Sequence, residues 1–268
     1  MRQWRLIYDC PTTGARNMAV DDAILSVGCR LPTLRFYAWN PPCLSLGYGQ
    51  RASDVDFPRL AAAGWDIVRR PTGGRAILHT DELTYSLILP PGDPIATGDI
   101  VTSYQRISRA LMAGLKRLGV TSDPYVEPEP GRTGPVCFET PGRYEITVGG
   151  RKLVGSAQAR RSDGTLQHGS LPLHGDLARI CDALVYPDET ARERARTQVR
   201  ARALTLAEAL GVFNVTWETA AAALVEGFVE IFEADFEAGP AQLTATESDA
   251  ADRLAADVYS TPAWTCRR

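Results

Sequence analysis

Tyr144-Glu145-Ile146-Thr147-Val148-Gly149-Gly150-Arg151-Lys152-Leu153-Val154 decides the architecture. Two runs rich in β-branched residues flank a pair of glycines. A two-residue hairpin turn needs positive φ, which glycine adopts without a Cβ clash. A second turn, Ser162-Asp163-Gly164, leads into Thr165-Leu166-Gln167-His168. Tight hairpins imply antiparallel pairing.

Upstream, Leu34–Trp39, Cys43–Leu46, Trp65–Arg69 and Leu83–Leu89 also read as strands, the last a central one. Gly47-Tyr48-Gly49 is a turn. Val20, Ala23, Ile24 and Val27 form a stripe at helical spacing that Gly28 stops. A short helix is expected around Val55–Ala63. Ser103 is the expected N-cap of a helix carrying Ile107, Leu111, Leu115 and Leu118, which Gly119 ends. From about Leu173 the chain reads as helical, with Asp235–Ser248 as a linker to a last helix over Asp249–Val258. Strands with interspersed helices imply an α+β fold, with a mixed or antiparallel sheet and flanking helices. The expected organisation is one domain over 1–268. Its core is about 1–235, with a short helical extension at about 245–268.

The 268 residues are 44% apolar and 23% charged, ordinary for a soluble globular chain. With 29 basic and 32 acidic side chains the net charge is −3, which excludes a global electrostatic grip on nucleic acid. No apolar run approaches the ~20 residues that span a bilayer, so no membrane association is expected. Met1-Arg2-Gln3-Trp4-Arg5 lacks the apolar stretch of a signal peptide, so the expected location is cytoplasmic. The six cysteines, Cys10, Cys29, Cys43, Cys137, Cys181 and Cys266, are scattered without a CxxC pair. Neither a zinc ribbon nor a disulfide framework is expected, and most should be buried thiols.

Gly47-Tyr48-Gly49-Gln50-Arg51-Ala52 fits GxGxxA, but no helix opens on it, which favours a tight turn. No P-loop is present. His168 and His174 lack metal-pair spacing and an acidic cluster, so no metal site is expected. In Arg69-Arg70-Pro71-Thr72-Gly73-Gly74-Arg75 two glycines open backbone amides to a ligand, and three arginines suit an anionic or carbonyl-bearing one. The alternative is a surface turn with solvated arginines. Cys137 follows a Gly/Pro-rich loop, and Lys152 starts the second hairpin strand. Alternation puts Lys152, Val154, Ser156 and Gln158 on one face. A cysteine beside an ammonium is a candidate nucleophile, because the cation favours the thiolate. The alternative is an ordinary structural thiol. The run Arg192, Arg194, Arg196, Arg200, Arg202 reads as a solvated helix face, with an acidic partner as the alternative.

Four blocks resemble the lipoate–protein ligase A / biotin protein ligase superfamily. They are Asn17-Met18-Ala19-Val20-Asp21-Asp22-Ala23, the stretch from Arg69 to His79, Glu82-Leu83-Thr84-Tyr85-Ser86, and the stretch from Gly150 to Gln158. The resemblance runs from about Trp4 to the Tyr259–Trp264 segment. Two subfamilies compete within it. ATP-dependent lipoate ligases typically have glycine where this chain has Arg75, and often carry an extra C-terminal domain. Cys-dependent octanoyltransferases carry a Cys-Phe block, then Tyr-Glu, then the lysine. Here that order is Cys137-Phe138-Glu139, Tyr144-Glu145 and Lys152, with Thr140-Pro141-Gly142-Arg143 departing slightly from the usual Pro-Ser. Leu166-Gln167-His168-Gly169-Ser170 also resembles the octanoyltransferase subfamily.

The resemblance implies transfer of an octanoyl chain from octanoyl-acyl carrier protein to a lysine of an apo lipoyl domain, such as glycine cleavage H protein. Cys137 would carry the acyl group and Lys152 would hold the thiolate, orient the carbonyl, steady the oxyanion or accept the amine proton. The implied substrate-binding residues are Arg70, Gly73, Gly74, Arg75, His79, Gly155, Ser156, Ala157 and His168. No cofactor is expected; ATP and Mg²⁺ would enter only for a lipoate ligase. A non-catalytic binder of acylated carrier domains is the reading from another class.

Overall fold

The computed structural model describes residues 2–123, 145–212, 214–236 and 239–268. The strands are β1 (Arg2–Tyr8), β2 (Thr33–Tyr37), β3 (Cys43–Leu46), β4 (Asp66–Arg69), β5 (Ile77–His79), β6 (Glu82–Leu89), β7 (Ile146–Val148), β8 (Arg151–Arg161), β9 (Gly164–Pro172) and β10 (Ala234–Phe236). The helices are α1 (Gly14–Ser26), α2 (Phe57–Ala62), α3 (Ile100–Arg117), α4 (Glu189–Arg202), α5 (Leu206–Leu210), α6 (Trp217–Phe232), α7 (Ala245–Leu254) and α8 (Pro262–Thr265). A seven-stranded mixed sheet runs β10-β1-β2-β6-β9-β8-β7, and a three-stranded one runs β4-β3-β5. The expected α+β class and mixed sheet are what is observed.

Both hairpins form where glycine permits them. Gly149 and Gly150 have φ of 57° and 73°, and Val148 pairs with Arg151 across them. Ser162 and Asp163 join Arg161 to its partner Gly164, whose φ is 143°. In the small sheet β3 and β4 pair in parallel, Leu46 opposite Arg69, which carries the turn after β3 and the loop after β4 to the same end.

Alternation along the strands separates two faces. Leu34, Phe36, Leu83, Tyr85, Leu87 and Leu89 share one core with residues of α3 and α6. Tyr37, Ile88 and Leu166 share another with Met18, Val20 and Ile24 of α1, and with Ala250 and Ala251 of α7. The intervening residues of this second face are polar yet buried: Arg35, Thr84, Ser86, His168 and Ser170. Buried polar groups are costly without partners, so this face must organise hydrogen bonds, and the site lies on it.

Three expectations are corrected. Asp99, not Ser103, caps α3, accepting from the Thr102 amide at 2.7 Å. Gly98, at φ 87°, turns the chain into that cap, whereas Ser103 lies within the helix and donates to Gln158. The stretch after Leu173 is not wholly helical, and the expected linker begins as a strand. Ala234–Phe236 pairs in parallel with Arg2–Trp4 at the sheet edge, too short to show alternation. β1 itself carries no expected element, because Arg2 and Arg5 interrupt its apolar pattern. No helix among the described residues is long and apolar enough to cross a membrane.

Candidate active site

A cavity with about 410 Å³ of empty space, partly open to solvent, lies between the two sheets and α1. Met18, Tyr37, Trp39 and Ile77 supply apolar wall, and Gly155, Ala157 and Gly169 supply bare backbone. Gly155 and Ala157 lie opposite Ser170 and His168, so they share the polar-lined face of the sheet. Gly169 is small for a steric reason. A Cβ there would lie 2.5 Å from Ser156 Oγ and 2.7 Å from the Gly155 carbonyl oxygen.

Seven of the nine implied binding residues line this cavity: Arg70, Gly74, His79, Gly155, Ser156, Ala157 and His168. Gly73 and Arg75 adjoin it through their carbonyls, which accept from Arg70 Nη2 at 2.8 and 2.7 Å. Arg70 thus ties down the loop after β4 rather than projecting into solvent. The Ser156 hydroxyl is 2.7 Å from Tyr85 Oη, a residue of the α3-side core. Ser156 therefore meets the cavity away from its hydroxyl.

Both histidines face carboxylates, and His79 is hydrogen-bonded to its own. His79 Nδ1 lies 2.6 Å from Glu82 Oε1, and its Nε2 lies 2.8 Å from Ser45 Oγ. Burial pushes the Glu82 carboxyl up, but His79, Ser170 and Thr84 outweigh it and hold the group below the usual carboxylate range. His168 Nδ1 is 3.5 Å from Asp21 Oδ2, and its Nε2 is 2.6 Å from Thr72 Oγ1. Burial lowers the His168 pKa against the pull of Asp21. Asp21 also accepts from Arg35 and Ser86, each at 2.7 Å, and from Tyr37 at 3.0 Å. Burial pushes its carboxyl up, yet Arg35, His168 and Ser86 hold it low.

Lys152 is wholly buried and ion-paired with Glu145, whose side chain is mostly covered. A buried ammonium requires such a partner. Its carbonyl accepts from the Leu204 amide at 3.0 Å. The cavity lining begins three residues further along β8, at Gly155. Cys137 lies outside the described residues. Among those residues no group of histidine, cysteine or acidic side chains is placed to hold a metal ion.

One arginine reading changes. Arg69 is wholly buried, and its guanidinium serves the carbonyls of Gly47, Gln50 and Thr265. It fastens the C-terminal segment to the turn after β3 and offers no charge to a ligand. In α4, Arg192, Arg196 and Arg200 pair with Glu189, Asp182 and Asp176 respectively. Arg194, Arg200 and Arg202 are exposed, as expected of a solvated face, whereas Arg192 is buried. Asp21, Thr72 and Glu82 appear only within the resembling blocks, and Ser45 only within an expected strand. Their signal was weak: polar residues interrupting apolar strands and helix, as Thr84 and Ser86 do in β6.

The family described as lipoyl protein ligase A/B catalytic domain matches residues 13–229. Octanoyltransferase LipM of Kyrpidia tusciae is 41% identical over 100% of both chains. Octanoyltransferase LipM of Symbiobacterium thermophilum is 40% identical over 99% of this chain and 98% of its own. Among solved structures, a bi-partite lipoate protein ligase from Thermoplasma acidophilum has a TM-score of 0.83 at 27% identity, covering 99% of this chain and 97% of that one. Lipoate-protein ligase A bound with ATP has a TM-score of 0.79 at 25% identity, covering 98% of each. The cavity, the glycine loop beside it and the full-length likeness agree, and the chain belongs to the lipoyl protein ligase A/B catalytic domain family.

Proposed function

We propose that this protein transfers an octanoyl group from octanoyl-acyl carrier protein to a lysine of an apo lipoyl domain, with glycine cleavage H protein as acceptor. The observation that carries this reading is the full-length likeness to octanoyltransferases, at 41% and 40% identity. The cavity supports it chemically. Its apolar wall suits an alkyl chain, and six buried methylenes contribute about 5 kcal/mol at about 0.8 kcal/mol each.

The Cys137 thiolate attacks the donor thioester carbonyl, and the carrier thiol leaves. The resulting cysteine thioester is attacked by the acceptor lysine amine. An amide forms, the amine loses a proton, and the Cys137 thiol is regenerated. Two transfers replace one encounter between two large carriers. Lys152 supplies a cation for the charge that develops on the carbonyl oxygen. The route consumes no ATP and uses no metal ion, and both carriers meet the enzyme in the cytoplasm.

Intact-protein mass after incubation with octanoyl-acyl carrier protein tests this. Wild type gains one octanoyl group and Cys137→Ala gains none. ATP-dependent modification of a lipoyl domain that survives Cys137→Ala would decide for a lipoate ligase. Absence of turnover with either donor would decide for a binder.

A further inference from the structure

Glu82 starts β6 and is 6% exposed, yet it does not line the cavity. Its carboxylate accepts from three different strands. The donors are His79 Nδ1 of β5 at 2.6 Å, Thr84 Oγ1 of β6, and Ser170 Oγ of β9 at 2.5 Å. Each leads to the cavity. All three donors line it themselves, and two of them extend the network further. The Thr84 hydroxyl accepts from Trp39 Nε1 at 2.7 Å, and the Trp39 ring stacks on His79 at 3.9 Å between centroids.

The third path is the longest. A carboxylate only accepts, so His79 Nδ1 carries the proton. Arg70 Nη1 donates to Ser45 Oγ at 3.1 Å, which leaves the Ser45 proton for His79 Nε2. Arg70 in turn holds the carbonyls of Gly73 and Arg75. Every link has a donor and an acceptor, so the chain has a single direction from carboxylate to loop.

We propose that Glu82 is a positioning residue that sets the shape of the acyl cavity, fixing the Trp39 wall and the Arg70-held loop together, and so governs which acyl length is transferred. The inference rests on the acyl-transfer reading above. A satisfied buried network admits one arrangement, because any displacement leaves a buried polar group unpaired. Glutamine at this position keeps the shape but replaces one acceptor oxygen by a donor. Thr84 and Ser170 then compete with His79 for the remaining oxygen, and the wall and the loop lose their common anchor.

The test is single-turnover acylation by hexanoyl-, octanoyl- and decanoyl-acyl carrier protein, followed by intact mass. It uses wild type, Glu82→Gln, Ser45→Ala and the double variant, with folding checked by circular dichroism. Discrimination between octanoyl and decanoyl donors falls roughly fivefold or more in Glu82→Gln, the scale of one lost hydrogen bond. Ser45→Ala interrupts the same chain and reproduces the loss if Glu82→Gln fails to fold. The double variant loses nothing further, since both changes cut one path. Equal slowing with every donor would mean a purely structural role and overturn the proposal, as would additive effects. A wild type that accepts no acyl group would sink the acyl-transfer reading itself. Discriminating variants beside a discriminating wild type would sink only the role of Glu82.

Discussion

The imidazole Nε2 of His168 lies 2.6 Å from the Thr72 hydroxyl, joining β9 to a loop 96 residues away in sequence. His168 Nδ1 faces Asp21 on α1. One side chain therefore ties sheet to loop at the cavity wall while facing the helix, and burial keeps it averse to a proton.

That aversion sets a pH dependence. The unfolded chain takes up this proton near the ordinary value of about 6.5, and the folded chain only at lower pH. Below about 6.5 the unfolded state therefore holds more protons, and stability falls as pH falls. Asp21 and Glu82, both held low, add further loss once pH drops below the ordinary carboxyl values of 3.8 and 4.5. Thermal midpoints between pH 8 and 3 should stay level, decline from about 6.5, then drop more steeply. His168→Gln should remove the first decline and keep the second. An unchanged slope between pH 6.5 and 5 in that variant would contradict this account.

Two aspartates differ sharply in what their loss costs. Asp21 is buried against the wholly buried Arg35, which also pairs with Asp9, so Asp21→Asn removes one of that cation's two anions and costs about 2–3 kcal/mol. Asp176 meets Arg200 at an exposed position, so Asp176→Asn costs under about 1 kcal/mol. Urea denaturation midpoints of the two variants, measured at pH 7.5, decide this; equal shifts would contradict it.

Glycines at the site are not equivalent. Gly169→Ala drives a Cβ into Ser156, Tyr85 and the Gly155 backbone, at 2.5–2.7 Å. Paired strands cannot part, so the expected cost is about 1–3 kcal/mol. Gly73→Ala meets nothing within 4 Å, and its stability should stay within about 0.5 kcal/mol of wild type. Calorimetry on both variants gives the comparison.

Lys152 allows a kinetic check on the proposed chemistry. Lys152→Gln keeps a polar side chain in the buried position but removes the cation proposed to face developing negative charge. Acylation by octanoyl-acyl carrier protein should slow by about 10²-fold or more, the usual effect of losing one such group. A rate within about threefold of wild type would remove Lys152 from the mechanism.

Local chemistry made the two hairpins readable, because Gly149 and Gly150 occupy a positive-φ turn that glycine tolerates best. The stripe of α1 and the apolar run of β6 were readable for the same reason: periodicity is a property of neighbours in the chain. β10 was not, since three residues carry no period, and it exists only because β1 offers a parallel edge. The site divides in the same way. Arg70, His79, His168 and Lys152 stood out by residue type and motif. Asp21, Thr72, Glu82 and Glu145 lay inside quoted blocks and Ser45 in an expected strand, but nothing in the sequence paired them with these residues: hydrogen bonds between buried groups are chosen by which strands and loops lie opposite, and only the tertiary packing decides that. The sequence by itself thus determined the class of fold and the cast of reactive side chains. The tertiary structure decided which arginines are scaffolding, which carboxylates face the histidines and where the cavity opens.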